Sequence, residues 1–474
     1  MKLFDGTKTE RETLLQMTSD TLLQFYEQIN EQSIGTIWQQ ETIAAKVEKF
    51  DFKEPQDGAL AIQQLIEDLK EYTIHTPHPN YFGLFNPRPN FPSILADLIT
   101  AFLNPQLAAW SHAPYAAEIE RNLIHQLCAR FGYATEQQDG TFTSGGAESN
   151  LTALICALNQ SIPDFNTHGL LKIQQLPRIY CSAESHHSIV KAARSVGLGA
   201  YSVIKIPASD DQSMNMQLLT QQIEQDQAEG HLPLMIVGTA GTTGAGAIDD
   251  LHSIATLCEN HDMWFHVDAA YGGALVLSAD KAKYLAGIER SDSITMDIHK
   301  WFSVPMGISV FLTANPTILH QAFSVTTAYM PKKGEQPKEI DPYVHSIQWS
   351  RRFMGLKLHL PLLLFGWKGY QEVIDGQMAQ ADLLRRSLID EGWTIHNDTV
   401  LPIVCFSHPV LQEQPEKAQK LVDGIIRTGK AWLSTYPIGE KLCLRACITN
   451  YNTDEKAIND LVLLLKEHLT LQQA

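Results

Sequence analysis

Lys300 stands just past an apolar run in SITMDIHKWFSVP, residues 293–305, between a histidine and a tryptophan. A lysine at a strand exit beside aromatic rings is partly desolvated. Desolvation favours the neutral amine, the form that attacks carbonyl carbon. An ordinary surface lysine after a strand is the alternative. Asp268 ends a second apolar run, in MWFHVDAAYGG, residues 263–273. A carboxylate buried there needs a cationic partner. A protonated pyridine nitrogen is such a partner, and the pairing keeps the ring an electron sink. A helix cap or a metal ligand would also use an aspartate here.

Three more stretches carry suitable residue types. In GTFTSGGAESNLTAL, residues 140–154, Gly145 and Gly146 follow an apolar run and precede a helix opening near Ala147. Free amides at a helix start bind phosphate, although a plain strand-to-helix turn has the same pattern. Neither GxxxxGK[ST] nor GxGxxG is present, so this is not a nucleotide or dinucleotide loop. In SAESHHSIVKAA, residues 182–193, His186 follows a strand and precedes a helix. Its imidazole suits stacking on a flat ring; the alternative is a satisfied polar residue at a strand end. In GTAGTTGAGAIDD, residues 238–250, small residues leave room beside a planar ligand and Thr243 offers a hydroxyl. Asp249 or Asp250 starts the next helix. Each signal is modest alone. Together they give a phosphate turn, a stacking histidine, a threonine turn, an aspartate and a lysine, all at strand exits.

The elements that position these residues form an alternating series. Strands are expected at 178–182, 201–206, 234–239, 264–268, 293–297 and 307–312, with helices at 188–196, 214–229 and 250–261. Such alternation implies a mainly parallel sheet flanked by helices, with ligands outside the carboxyl ends of the strands. Helical spacing of Leu14, Leu15, Leu22, Leu23, Phe25, Tyr26 and Ile29, and a second helix at 59–72, suggest an N-terminal arm over 1–89. The large domain then covers 90–357. Strands at 400–406 and 441–448 suggest a small α+β domain over 358–474. Asn452 with Glu455 resembles a capping box opening its last helix. The polar, Pro-rich stretch 326–343 has no period and reads as a functional loop.

Composition removes several classes. The 474 residues carry a formal charge of −17, and no basic cluster interrupts it. Nucleic acid and anionic membranes are therefore poor partners. No apolar run reaches the 18 residues of a membrane span, and the first residues lack the pattern of a signal peptide. The seven cysteines are odd in number and have no zinc spacing. Reduced thiols, no metal and a cytoplasmic location are expected.

HVDAAYGG and HKW, supported by residues 78–98, 108–120 and 349–357, resemble the group II pyridoxal-phosphate-dependent decarboxylases of aromatic, acidic and diamino L-amino acids. The resemblance runs from about residue 75 to the C-terminus. It implies an aspartate-aminotransferase-type fold with a seven-stranded sheet and a homodimer whose sites form at the interface. It also implies a set of roles. Lys300 attaches pyridoxal phosphate, Asp268 pairs the ring nitrogen, Ala270 lies against the ring and His186 stacks on the other face. Gly145, Gly146 and Ala147 hold the phosphate; Thr243, Asp297 and His299 line the site. Tyr329, in TAYMP, is the loop tyrosine that returns a proton to Cα. For the substrate, Tyr81, Phe82, Phe85, Pro87, Trp110 and Phe302 could form an aromatic pocket or be core. Arg88 could neutralise an acidic side chain, and Arg445 could meet a carboxylate. An aromatic L-amino acid ranks first; aspartate, glutamate and diaminobutyrate stay open. An aminotransferase, an aldehyde-forming oxidative enzyme and an inactive cofactor-binding dimer are the rivals.

Overall fold

A computed structural model describes residues 4–85, 87–325, 340–412 and 414–473. Eleven strands form two sheets. The first contains β1 (Asp139–Thr143), β2 (Pro177–Ser182), β3 (Val203–Ile206), β4 (Leu232–Thr239), β5 (Trp264–Asp268), β6 (Ser293–Met296) and β7 (Ser309–Thr313). Their order is β1-β7-β6-β5-β4-β2-β3. The pairs among β3, β2, β4, β5 and β6 are parallel, and β7 runs against both of its neighbours. The expected mainly parallel α/β sheet is what forms. Every residue of β2, β5, β6 and β7 is buried. A sheet covered on both faces has no wet side, so these strands show no alternation of exposure, and polar members such as His266, Ser293 and Thr295 are buried with hydrogen-bond partners.

Local chemistry sets the joints between strands and helices. Asn215 caps the helix Met216–Ala228 by accepting from the Leu218 amide, and Asp250 caps Leu251–His261 by accepting from the Ser253 amide. Neighbouring Asp249 is buried and accepts from the Thr239 and Met214 amides, both at 2.7 Å. It ties the end of β4 to the turn beyond it, and burial pushes its pKa up to about 6. Gly272 is required by a close approach: a Cβ there would lie 2.3 Å from the Ala240 carbonyl oxygen. The turns leaving β4 and β5 can therefore touch.

The second sheet has the order β10-β11-β9-β8 and is wholly antiparallel. Its strands are β8 (Thr394–Ile395), β9 (Ile403–Ser407), β10 (Ser434–Ile438) and β11 (Lys441–Cys447). The final helix, Glu455–Gln473, opens differently from expectation. Asp454 accepts from the Ala457 amide at 2.9 Å, while the Asn452 amide donates to Asn450 Oδ1 in a tight turn. Asp454 is the residue just before the first helical one, so it takes the cap, and Asn452 lies two residues further out. At the other end of the chain, the helices Lys8–Glu27 and Gly58–Glu71 contain no buried residue. Among the described residues no helix is long and apolar enough to cross a membrane. All seven cysteines are free and buried.

Candidate active site

Strands β2, β4, β5 and β6 point their carboxyl ends at one cavity of about 320 Å³. All ten residues singled out for cofactor binding line it. The β1 exit supplies Gly145, Gly146 and Ala147, the last two opening the helix Gly146–Ser161. Amides in a first helical turn have no acceptor within the helix, so they are free for an anion. Gly146 is needed sterically, since a Cβ there would lie 2.8 Å from Asp297 Oδ1. The β2 exit supplies His186, whose imidazole is exposed toward the cavity. Partial desolvation lowers its pKa, with Lys300 acting in the same direction and Asp268 and Asp297 opposing.

The floor holds the charged groups. Lys300 Nζ lies 2.8 Å from Asp297 Oδ2 and 5.5 Å from the centre of the Phe85 ring. Burial works against the Asp297 carboxylate, but Lys300 and His299 outweigh it and hold the pKa below the ordinary value. Ser309 Oγ donates to Asp297 Oδ1 at 2.5 Å. His299 is kept in place through Nδ1, 2.7 Å from the Ile308 carbonyl, and burial lowers its pKa. Asp268 is buried, and its oxygens accept from Asn150 Nδ2 at 2.9 Å and from the Ala270 amide at 3.2 Å. A carboxylate has about four lone-pair sites, so acceptor capacity remains for a ring N–H. Thr243 lines the cavity from the β4 turn.

A flat ring with a basic nitrogen and a phosphate arm fits these residues. Free helix amides stand at one end, an ionised carboxylate lies at the floor, an imidazole forms a wall and a primary amine is within the cavity. Pyridoxal phosphate has these parts.

The expected substrate residues divide. Phe85 lines the cavity and stacks on Tyr271, ring centres 4.0 Å apart. Trp110 does not line it: its indole donates to Glu118 Oε1 at 3.0 Å, in a separate crevice. Pro87 is buried outside the cavity walls. Tyr81, Phe82 and Phe302 are buried too; Tyr81 packs on Trp432 and Phe302 on Tyr370. Arg445 sits behind the wall. It donates to the carbonyls of Gly83, Gly244 and Thr243 at 3.0, 2.9 and 2.6 Å, so it braces the turns instead of reaching for a carboxylate. Arg88 donates to the Tyr26 carbonyl at 2.7 Å and lies over the Tyr26 ring. Tyr329 lies outside the described residues.

Asn150, Tyr271 and Met306 line the cavity without having been singled out from sequence. Tyr271 had a visible signal, since it sits inside DAAYGG. Asn150 had a weaker one: a polar side chain one turn past Gly146, on the helix face that meets the sheet.

Residues 46–408 match the family model described as the pyridoxal-dependent decarboxylase conserved domain. The L-aspartate decarboxylase dtxS4 of Metarhizium robertsii is 33% identical over 331 residues, 69% of this chain and 66% of its own length. The aromatic-L-amino-acid decarboxylase of Bacillus atrophaeus is 29% identical over 400 residues, 83% of this chain and 81% of its own length. Among solved structures, mouse CSAD superposes with a TM-score of 0.91 at 26% identity, covering 98% of this chain and 99% of that one.

Proposed function

The chain belongs to the pyridoxal-dependent decarboxylase family, and from that premise we propose which residues do the work and which substrate they take. It is a pyridoxal-phosphate-dependent amino-acid decarboxylase. The observation that carries the assignment of roles is the convergence of Lys300, Asp268, His186 and the Gly146 helix start on one cavity.

When bound, pyridoxal phosphate supplies a carbonyl carbon that takes up the substrate amine and a ring that accepts the electron pair released with CO₂. Lys300 is the amine that attaches the cofactor; its 2.8 Å contact with Asp297 holds it at the cavity floor. Asp268 meets the ring nitrogen, and its charge favours the protonated ring. The amides of Gly145, Gly146 and Ala147 hold the phosphate, while Thr243, Ala270 and His299 complete the walls. His186 covers one face and keeps water from it. Tyr329 returns a proton to the substrate Cα, directly or through His186.

For the substrate, an aromatic L-amino acid comes first. Phe85 and Tyr271 give the cavity an aromatic wall, and among the described residues Lys300 is the only lysine or arginine that lines it. The second reading is an acidic or diamino substrate, and its acidic form is favoured by the similarity to the L-aspartate decarboxylase. A screen of the cofactor-loaded protein against the common L-amino acids, diaminobutyrate, dihydroxyphenylalanine and ornithine decides between them. CO₂ and one amine without oxygen uptake is the expected result. Keto acid in place of CO₂ would instead make the protein an aminotransferase.

The working form is a homodimer with its sites at the interface, located in the cytoplasm. Supporting the dimer, Leu22 on Lys8–Glu27, Leu69 on Gly58–Glu71, and Leu98 and Phe102 on the next long helix, Phe91–Leu103, are 48, 58, 45 and 70% exposed. Isolated apolar residues are common on surfaces, but repeated along neighbouring helices they mark an association face.

A further inference from the structure

We propose that Asn150 is a positioning residue that relays the charge of Asp268 through Ser188 to His186, so that the neutral imidazole carries its proton on Nε2. The inference rests on the cofactor reading above and extends it to a residue outside the expected set.

A directed chain of hydrogen bonds runs from Asp268 to His186. Asp268, ionised, accepts only, and Trp264 Nε1 donates only. Asn150 Nδ2 is 2.9 Å from Asp268 Oδ2. That contact orients the amide, because its oxygen turned toward a carboxylate would be repelled. The second Nδ2 hydrogen then goes to Ser188 Oγ, at 2.9 Å. Ser188 Oγ accepts from Asn150 and lies 2.8 Å from His186 Nδ1; a hydroxyl can accept twice, so the direction of this last step is set by the backbone. The Ser188 amide points at Nδ1, at 3.3 Å. With two donors aimed at it, Nδ1 is the unprotonated nitrogen, and the imidazole proton resides on Nε2.

The far side of the amide agrees. Trp264 Nε1 donates to Ser293 Oγ at 2.9 Å, and Ser293 Oγ is 2.8 Å from His266 Nδ1. Asn150 Oδ1, turned this way, makes His266 Nε2, 3.0 Å off, the protonated nitrogen, which leaves Nδ1 to accept from Ser293 Oγ; Oδ1 also accepts from Thr295 Oγ1 at 2.8 Å. All four hydrogen-bonding positions of Asn150 are used, and both sides fit one amide orientation. Asn150, Ser188, His266, Ser293 and Thr295 are each at most 2% exposed, so water does not compete for these bonds. A network satisfied at every member holds one arrangement of protons.

The consequence is a neutral His186 that can donate from Nε2, as an imidazole at a carboxylate-losing site must if it is to hand a proton on. The charged or titratable groups facing it are Asp268, Asp297, Lys300 and His187.

Two substitutions test the relay, each read first by cofactor binding and absorbance. Wild-type protein must bind pyridoxal phosphate with a visible band; if it does not, the functional reading fails before the relay is at issue. Asn150→Asp puts a second carboxylate against Asp268. It also replaces the amide donor to Ser188 Oγ by an acceptor, so the Ser188 hydrogen turns away from His186 Nδ1 and the His186 pKa, read by NMR titration, should rise. A His186 pKa equal to that of the wild type overturns the relay. Ser188→Ala removes one donor from His186 Nδ1, so the imidazole charges more readily. The acid limb of the kcat profile should move up by about half a pH unit, and Ser188→Thr, which keeps the hydroxyl, should move it back. An acid limb unmoved in Ser188→Ala overturns the proposal, and this arm stands even if Asn150→Asp does not fold.

Discussion

Lys300 and His186 respond to change in distinguishable ways on the proposed reading. Replacing Lys300 by Ala leaves the Asp268 and Gly146 contacts in place, so the cofactor should still bind but should no longer be fixed to protein by borohydride. Turnover should fall by roughly 1,000-fold or more, as for loss of a group acting in the reaction itself. Mass spectrometry of the reduced protein checks the first outcome and steady-state kinetics the second. For His186 the sign follows from its surroundings. Desolvation lowers its pKa from the ordinary 6.5, so it stays neutral through the physiological range and charges only in more acidic solution. The acid limb of kcat should therefore lie below pH 6.5, and a limb centred above that value would place the titrating group elsewhere.

At the scale of elements, the site depends on two contacts that hold turns together. Gly146→Val forces a side chain into the space occupied by Asp297 Oδ1, 2.8 Å from the nearest possible Cβ. The helix start must retreat, and phosphate affinity goes with it. Cofactor titration should show binding weakened at least about tenfold, the scale of one lost hydrogen bond to a charged group, with circular dichroism unchanged. Arg445 joins the second sheet to the first by spanning the Gly83, Thr243 and Gly244 carbonyls. Arg445→Met would leave three carbonyls short of a donor, at about 1–3 kcal/mol for each that water cannot reach. Thermal melting should drop by several degrees, and the cofactor should be lost earlier on heating. An Arg445→Met protein that kept its melting temperature and instead showed only a raised KM would restore the carboxylate-binding role expected from sequence.

For the whole molecule, the exposed leucines of the N-terminal helices make the assembly testable. Light scattering should give twice the 53.0 kDa chain mass. Leu22→Glu combined with Leu98→Glu should shift the mass toward the monomer and abolish turnover, because the proposed sites lie at the interface. A monomeric wild-type protein with full activity would overturn the dimer.

Much of this was legible in the residues themselves. Ala147, Ala270, Asp297 and His299 came from the family resemblance, whereas Gly145, Gly146, His186, Thr243, Asp268 and Lys300 were readable because each stands at or just past the end of a short strand-like run such as 264–268 or 293–297. That reading depends only on the rule that parallel strands present their carboxyl ends together. The aromatic pocket was not readable. Tyr81, Phe82, Phe85, Trp110 and Phe302 have the same composition whether they face a ligand or a core, and only packing separated Phe85 from the rest. Arg445 was expected to meet a carboxylate, and in the fold it donates to three carbonyls, since a guanidinium serves a carbonyl as readily as a carboxylate. Asn150 became visible only when three segments distant in sequence, around Ser188, His266–Asp268 and Thr295, closed on one amide. The chemistry of a single side chain at the end of a strand is local and is written in the sequence. Which of its neighbours share its protons is set by tertiary contact, and only the folded chain decides it.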